Sequence, residues 1–142
     1  MALSTEEKRS WLERVDLFKG LPAEALDRLA EITGEIDFRA GQHIVTQGQI
    51  GNGLYILVAG RARIQRGDDV IAVLEPGTFF GEMAVLDQQP RSATVIAETD
   101  MACLGLASWD LIAEIERDPR LALNLLRELA TRVLYLEDNY VH

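Results

Sequence analysis

The chain has 142 residues, which is enough for one domain built around one hydrophobic core. Apolar residues make up 48% and charged residues 26%, a globular balance that excludes intrinsic disorder. No apolar run approaches the roughly 20 residues of a membrane-spanning helix, and the polar N-terminus has no secretory signal core. The net charge of −9 is spread along the whole chain, which argues against nucleic acid or an anionic membrane as a partner.

The residues that could ligate a metal or form a disulfide are few. Cys103 is the one cysteine, which excludes an intramolecular disulfide and favours a cytoplasmic location. The sequence has two histidines, His43 and His142, and therefore lacks the ligands of a zinc, haem or iron–sulfur site. We therefore expect neither a metal nor a cofactor, and we expect Cys103 to be a small core residue.

Residues 1–34 predict two helices. Ser4 or Thr5 can cap the first helix, and a stripe at helical spacing gives its buried face: Trp11, Val15 and Phe18. Pro22 suits the first turn of the second helix, because its missing N–H costs nothing there, and Gly34 ends that helix.

Between residues 35 and 107 the pattern changes to short apolar or alternating runs separated by glycine-rich turns. Such regular spacing predicts an antiparallel sandwich or barrel rather than a parallel α/β sheet. The predicted strands are Ile36–Arg39, His43–Thr46, Leu54–Val58, Arg61–Gln65, Val70–Leu74, Thr94–Ala97 and Met101–Leu106.

Residues 108–138 predict two further helices. Ser108 can cap the first, and Asp118-Pro119 begins a second that extends to about Glu137. This last helix has more apolar residues than one face requires, which indicates a partner: a ligand, a second subunit or another domain. The alternative is a helix that is simply buried in its own domain.

Residues 79–95 are the segment most indicative of function. Gly81 follows two aromatic residues and precedes a run long enough for one helical turn, whose free N–H groups and positive dipole end suit an anion. After Pro90, Arg91 can return towards this point and bind a phosphate through two parallel hydrogen bonds. A phosphate would repel Glu82 unless this side chain accepts a hydroxyl of the same ligand. Alternatively, Glu82 pairs with Arg91, and Ser92 is an exposed strand hydroxyl.

This segment resembles the phosphate-binding cassette of cyclic nucleotide-binding domains, the type found in the catabolite activator protein, protein kinase A regulatory subunits and cyclic-nucleotide-gated channels. The matching residues are Phe-Gly-Glu, small Ala84, then Pro-Arg-Ser-Ala-Thr-Val, with nine positions from Glu82 to Arg91. Gly41, Gly48 and Gly60 match the structural glycines of the family. The resemblance extends over nearly the whole chain.

The resemblance implies an eight-stranded antiparallel β-roll, a jelly roll, flanked by helices: residues 1–34, the roll at 35–107 and helices at 108–138. Glu82 would accept the ribose 2′-hydroxyl, and Arg91 would bind the cyclic phosphate with the N–H of Ala84 and with Ser92. Gly81 would keep the cassette tight. The ligand-binding residues of the cassette are therefore expected to be Gly81, Glu82, Met83, Ala84, Arg91, Ser92 and Ala93.

The last helix of relatives closes over the base, and Arg132 and Leu136 lie about where such contacts occur. The hydroxyl residues that the catabolite activator protein uses there are not matched at Leu136 and Glu137. Ser92 stands where cGMP-preferring sites often have threonine, so the resemblance favours cAMP. For Arg132 the alternative is a solvated helix face.

The resemblance predicts a receptor that binds cAMP in preference to cGMP and signals by movement of the C-terminal helix, as bacterial-type regulators do. The alternatives are a nucleotide-free module that dimerises through that helix, or a sensory domain cut from a larger regulator or channel. The chain has no helix-turn-helix segment, and its capped start after Met1 favours a complete small protein. An enzyme is disfavoured, because no histidine is close in sequence to Ser92 or Cys103.

Overall fold

The computed structural model describes residues 2–49, 51, 53–81, 91 and 93–140, with backbone only for helix residues 132, 133 and 135–140. The helices are α1 (Thr5–Arg14), a 3₁₀ turn (Asp16–Phe18), α2 (Ala23–Ile32), α3 (Ser108–Arg117) and α4 (Pro119–Tyr140). The described strands are β1 (Gly34–Phe38), β2 (His43–Val45), β3 (Gly53–Ala59), β4 (Ala62–Arg66), β5 (Asp69–Leu74), β6 (Phe79–Phe80), β7 (Thr94–Ala97) and β8 (Met101–Ala107).

The first helix begins where it was expected and ends earlier than expected. Ser4 and Glu7 form a reciprocal capping box at the start of α1. The predicted stripe of Trp11, Val15 and Phe18 packs against one core, but the helix does not continue through it, because α1 ends at Arg14 and a 3₁₀ turn follows. A continuous α-helix would place Leu17 about 200° around the axis from Val15. The break allows both of these side chains to be buried.

The strands form two antiparallel four-stranded sheets, which confirms the predicted β-roll flanked by helices. Sheet A has the order β1-β8-β3-β6, and sheet B has the order β2-β7-β4-β5. Each predicted strand is present, and its ends differ from the prediction by at most two residues, whereas the two-residue β6 was not predicted. No helix of the described residues has the length and apolar character needed to cross a bilayer.

Sheet A separates two hydrophobic cores. Leu54 and Ile56 of β3 face the helices, in a core with Leu12, Phe18 and Leu29. Leu57 and Cys103 face sheet B, in a core to which Val95 and Ala97 of β7 contribute. Burial on both faces explains why β3 and β8 read as continuous apolar runs rather than as alternating ones.

Polar contacts fasten the C-terminal helices to the N-terminal ones. Arg28 of α2 donates two hydrogen bonds of 3.2 Å to the carboxylate of Glu114 in α3, and Glu114 is buried. In α4, Nδ2 of Asn124 donates to the carbonyl oxygens of Leu17 at 3.1 Å and Lys19 at 2.7 Å. One side chain of α4 therefore joins this helix to the 3₁₀ turn and to the residue that follows the turn.

Gly60 lies in the turn between β3 and β4, and we expect its replacement by alanine to lower the stability of the fold. Its φ is +85°, and an added Cβ would overlap the carbonyl oxygen of Asp100 and lie 2.7 Å from Cβ of Met101. Gly67 has a φ of +59° and no atom within 4 Å of such a Cβ. It therefore supplies the same backbone strain without the steric overlap.

We predict that Gly67→Ala lowers the free energy of unfolding by about 1–2 kcal/mol, the cost of the left-handed conformation. Gly60→Ala should lower it by roughly 1–3 kcal/mol more, because the backbone around Asp100 must shift. Urea unfolding of both variants measures the difference. Equal losses would show that the close approach of the β7–β8 turn contributes nothing.

Candidate functional site

Arg91 lies at one end of the roll and is buried, with 8% of the residue exposed. Its Nη2 donates to the carbonyl oxygen of Gly53 at 2.9 Å, and its Nη1 donates to that of Gly81 at 3.1 Å. Gly53 is the first residue of β3, and Gly81 directly follows β6. Arg91 thus joins the segment that begins the predicted cassette to sheet A.

The main chain of Arg91 is held as firmly as its side chain. The N–H of Gly48 donates to the Arg91 carbonyl at 2.9 Å, and the N–H of Arg91 donates to the Gln49 carbonyl at 2.8 Å. Close by, the N–H of Gln47 donates to Oγ1 of Thr94 at 2.9 Å. The loop between β2 and β3 is therefore paired with the chain around residue 91, so that the arginine leaves this segment in a fixed direction.

Aromatic packing fixes the other side of the site. Phe80 is opposite Tyr55 in the β3–β6 register, and their rings stack with centroids 5.3 Å apart at an interplanar angle of 16°. Phe80 belongs to the core between the sheets, while Phe79 packs against the core under the helices. The two adjacent rings therefore anchor the chain on both faces of sheet A, immediately before Gly81.

Gly81 has to be glycine for two reasons. Its φ is +98°, a conformation that side chains rarely adopt. An added Cβ would lie 2.5 Å from the Gly53 carbonyl oxygen and 2.8 Å from Nη1 of Arg91. The expectation that Gly81 keeps this segment tight therefore has a physical basis in the backbone angle and in the closeness of β3.

The structure brings together two of the residues that the sequence singled out, Gly81 and Arg91, and places half-buried Ala93 two residues beyond the latter. Glu82, Met83, Ala84 and Ser92 lie outside the described residues, as do the side chains of Arg132 and Leu136 in α4. The ligand roles of all these residues stay predictions.

Gly51 and Gly53 were treated in the sequence only as turn residues, and their part in the site was missed. Gly53 supplies the carbonyl that binds Nη2 of Arg91, and the guanidinium lies directly over Gly51. A Gly-x-Gly pair just before a buried strand was the available signal. It could not identify the approaching side chain, because residue 91 is distant along the chain.

Cys103 is an inert core residue, as expected. It is fully buried between the sheets, and this burial raises the pKa of its thiol to about 12. Among the described residues, no cluster of three or more histidine, cysteine, aspartate or glutamate side chains is arranged to hold a metal ion.

Comparison with known proteins shows which domain family the β-roll resembles. The sequence model of the cyclic nucleotide-binding domain matches residues 35–118. The chain is 36% identical over 122 residues to a cyclic AMP receptor protein of Thermus thermophilus, covering 82% of this chain and 56% of that protein. It is 38% identical over 100 residues to a cGMP-dependent protein kinase of Plasmodium berghei, covering 70% of this chain and 12% of the kinase.

The solved structures agree with the sequence comparison. The crystal structure of the Thermus thermophilus catabolite activator protein superimposes with a TM-score of 0.80 at 35% identity. The superposition covers 87% of this chain and 61% of that one. The chain thus spans less than two thirds of the length of each of these relatives, and what they share with it is this one domain.

Proposed function

The chain belongs to the cyclic nucleotide-binding domain family, and we propose that it is a non-enzymatic, cytoplasmic receptor that binds a cyclic nucleotide at Arg91. The observation that carries the proposal is the fixed, buried guanidinium of Arg91 beside Gly81. A guanidinium is always charged and presents its N–H donors in a planar fork, which is the geometry that matches a phosphate. The expected ligand contacts at Glu82, Ala84 and Ser92 complete the proposed site.

Burial makes Arg91 effective in a protein whose net charge is −9. An exposed arginine would be screened by salt, and the surrounding acidic surface would repel an anion. The charge of a buried arginine such as Arg91 acts in a medium of lower effective dielectric constant than water, where its attraction for a phosphate is stronger. Because backbone carbonyls hold it in place, little side-chain entropy is lost when the ligand arrives.

We propose cAMP as the preferred ligand, on the evidence of Ser92 alone. The relatives include both a cyclic AMP receptor protein and a cGMP-dependent protein kinase, so family membership does not favour either base. The ratio of the affinities for cAMP and cGMP therefore has to be measured directly.

We predict that calorimetric titration gives micromolar or tighter binding of cAMP, and weaker binding of cGMP. Arg91→Ala should cost about 2–5 kcal/mol of binding, because a buried phosphate loses its charged partner. Arg91→Lys should restore only part of this, because lysine lacks the planar fork. Glu82→Ala should weaken binding and leave thermal unfolding unchanged.

The matched control is Arg39→Ala. Arg39 is exposed and follows Phe38, which pairs with Met101 at the end of β8 opposite to the Ala107–Gly53 pair. Six residues of strand, about 20 Å, therefore separate this control from the site. Equal affinities of the wild type and Arg91→Ala would refute the proposed site, and a loss in Arg39→Ala would indicate a non-specific charge effect.

We further propose that α4 carries the signal. Leu121 and Leu125 are buried in the core under the helices, and Asn124 is bonded to the 3₁₀ turn. Beyond this anchored part, Leu126 is 61% exposed and Leu134 is 62% exposed. A ligand that contacts the later turns can reposition them at little cost, whereas moving residues 119–125 would break core contacts.

Hydrogen exchange should therefore show ligand-induced protection in α4 mainly after residue 125. Amides of residues 119–125 should be protected to a similar extent with and without cAMP, because their anchoring does not depend on the ligand. Identical protection along the whole of α4 in the two states would refute signalling through this helix.

The second candidate is a nucleotide-free module that forms a homodimer through α4. Its supporting observation is an exposed stripe at helical spacing on the described part of this helix: Leu123, Leu126, Ala130 and Leu134. A sensory domain within a larger regulator or channel is compatible with either candidate. The relatives are longer than this chain, and the downstream partner is a protein of unknown identity.

Light scattering distinguishes the two candidates. For the dimerisation module we expect a dimer whose stability is the same with and without cAMP, and which Leu126→Asp dissociates by burying a charge in the interface. A monomer, or an oligomeric state that changes on addition of cAMP, would eliminate the nucleotide-free module.

A further inference from the structure

We propose that Gly51 is a positioning residue for the cyclic phosphate, an inference that rests on the proposed function. Its missing side chain creates the space in which the Arg91 guanidinium lies. A Cβ on residue 51 would overlap Nε and Nη2 of Arg91 and would lie 2.5 Å from Cζ. Three atoms of the charged group therefore occupy the place of one methyl group.

This overlap cannot be relieved by a small adjustment of the guanidinium. Nη2 is bonded to the Gly53 carbonyl and Nη1 to the Gly81 carbonyl, at 2.9 Å and 3.1 Å. Any movement away from residue 51 lengthens at least one of these bonds. The backbone of Arg91 cannot follow, because it is paired with Gly48 and Gln49 of the same loop.

Gly51 also differs from Gly48 of the same loop and from Gly81 in the reason for its identity. Gly48 and Gly81 have positive φ angles, +85° and +98°, whereas Gly51 has a φ that any residue can adopt. Alanine at residue 51 therefore causes no backbone strain. Its predicted effect arises entirely through Arg91, which allows the two contributions to be separated by experiment.

The first measurement is the affinity of Gly51→Ala for cAMP by calorimetric titration. We expect Kd to rise about 10- to 100-fold, the loss typical of a displaced charge-assisted hydrogen bond. The control is Gly34→Ala in β1, where φ is ordinary and no atom lies within 4 Å of the added Cβ. Gly34→Ala should bind cAMP as the wild type does, and wild-type affinity of Gly51→Ala would overturn the proposal.

The second measurement is a double-mutant cycle by thermal unfolding without ligand. Gly51→Ala should lower Tm when residue 91 is arginine and should not lower it in the Arg91→Ala background, where the methyl group has room. Equal losses in both backgrounds would show that residue 51 acts on the fold alone and would overturn the proposal. If the wild-type protein binds no cyclic nucleotide, the proposed function fails, and the cycle still reports whether Gly51 positions Arg91.

Discussion

The site depends on one arrangement, the Arg91 guanidinium held against main-chain carbonyls of two segments. Nη2 is bonded to Gly53 at the start of β3, and Nη1 is bonded to Gly81 after β6. Gly53 begins β3 and Gly81 directly follows β6, the neighbour of β3 in sheet A, so the pairing of these strands sets the separation of the two carbonyls. A buried cation held in this way needs a rigid frame, because each carbonyl that it loses is left without a partner away from water.

The two cores supply that rigidity. β3 is buried on both faces, so neither Gly53 nor the strand that follows can shift without disturbing the packing on both sides of sheet A. The stacked rings of Tyr55 and Phe80 tie β6 to β3 and so fix Gly81 relative to Gly53. The geometry of the site is therefore a consequence of core packing, while Gly51 and Gly81 provide the space that it requires and Gly81 also adopts the positive φ.

Local chemistry was enough to predict most of the fold. Apolar runs between glycine turns placed seven strands to within one or two residues, and β7 was predicted with its observed ends. The failures occur where distant packing decides. The break after Arg14 follows from the need to bury Leu17 beside Val15, and β6 exists because two aromatic rings find separate cores. Distant packing also limits prediction of the site. Gly81 and Arg91 were predicted from a short motif. The roles of Gly51 and Gly53 were missed, because they depend on the Arg91 side chain some forty positions away.

β3 is also the element that connects Arg91 to the core under the helices. Gly53 holds the guanidinium, and its neighbour Leu54 is fully buried in the core that includes Leu121 and Leu125 of α4. Because Asn124 fixes that part of α4 to the 3₁₀ turn, β3 and the anchored turns behave as one packed unit. A unit whose packing is the same with and without ligand contributes equally to the two states, and equal contributions shift no equilibrium. Under the proposed signalling, the difference in free energy that moves α4 would therefore arise from contacts made after residue 125, where Leu126 and Leu134 are exposed.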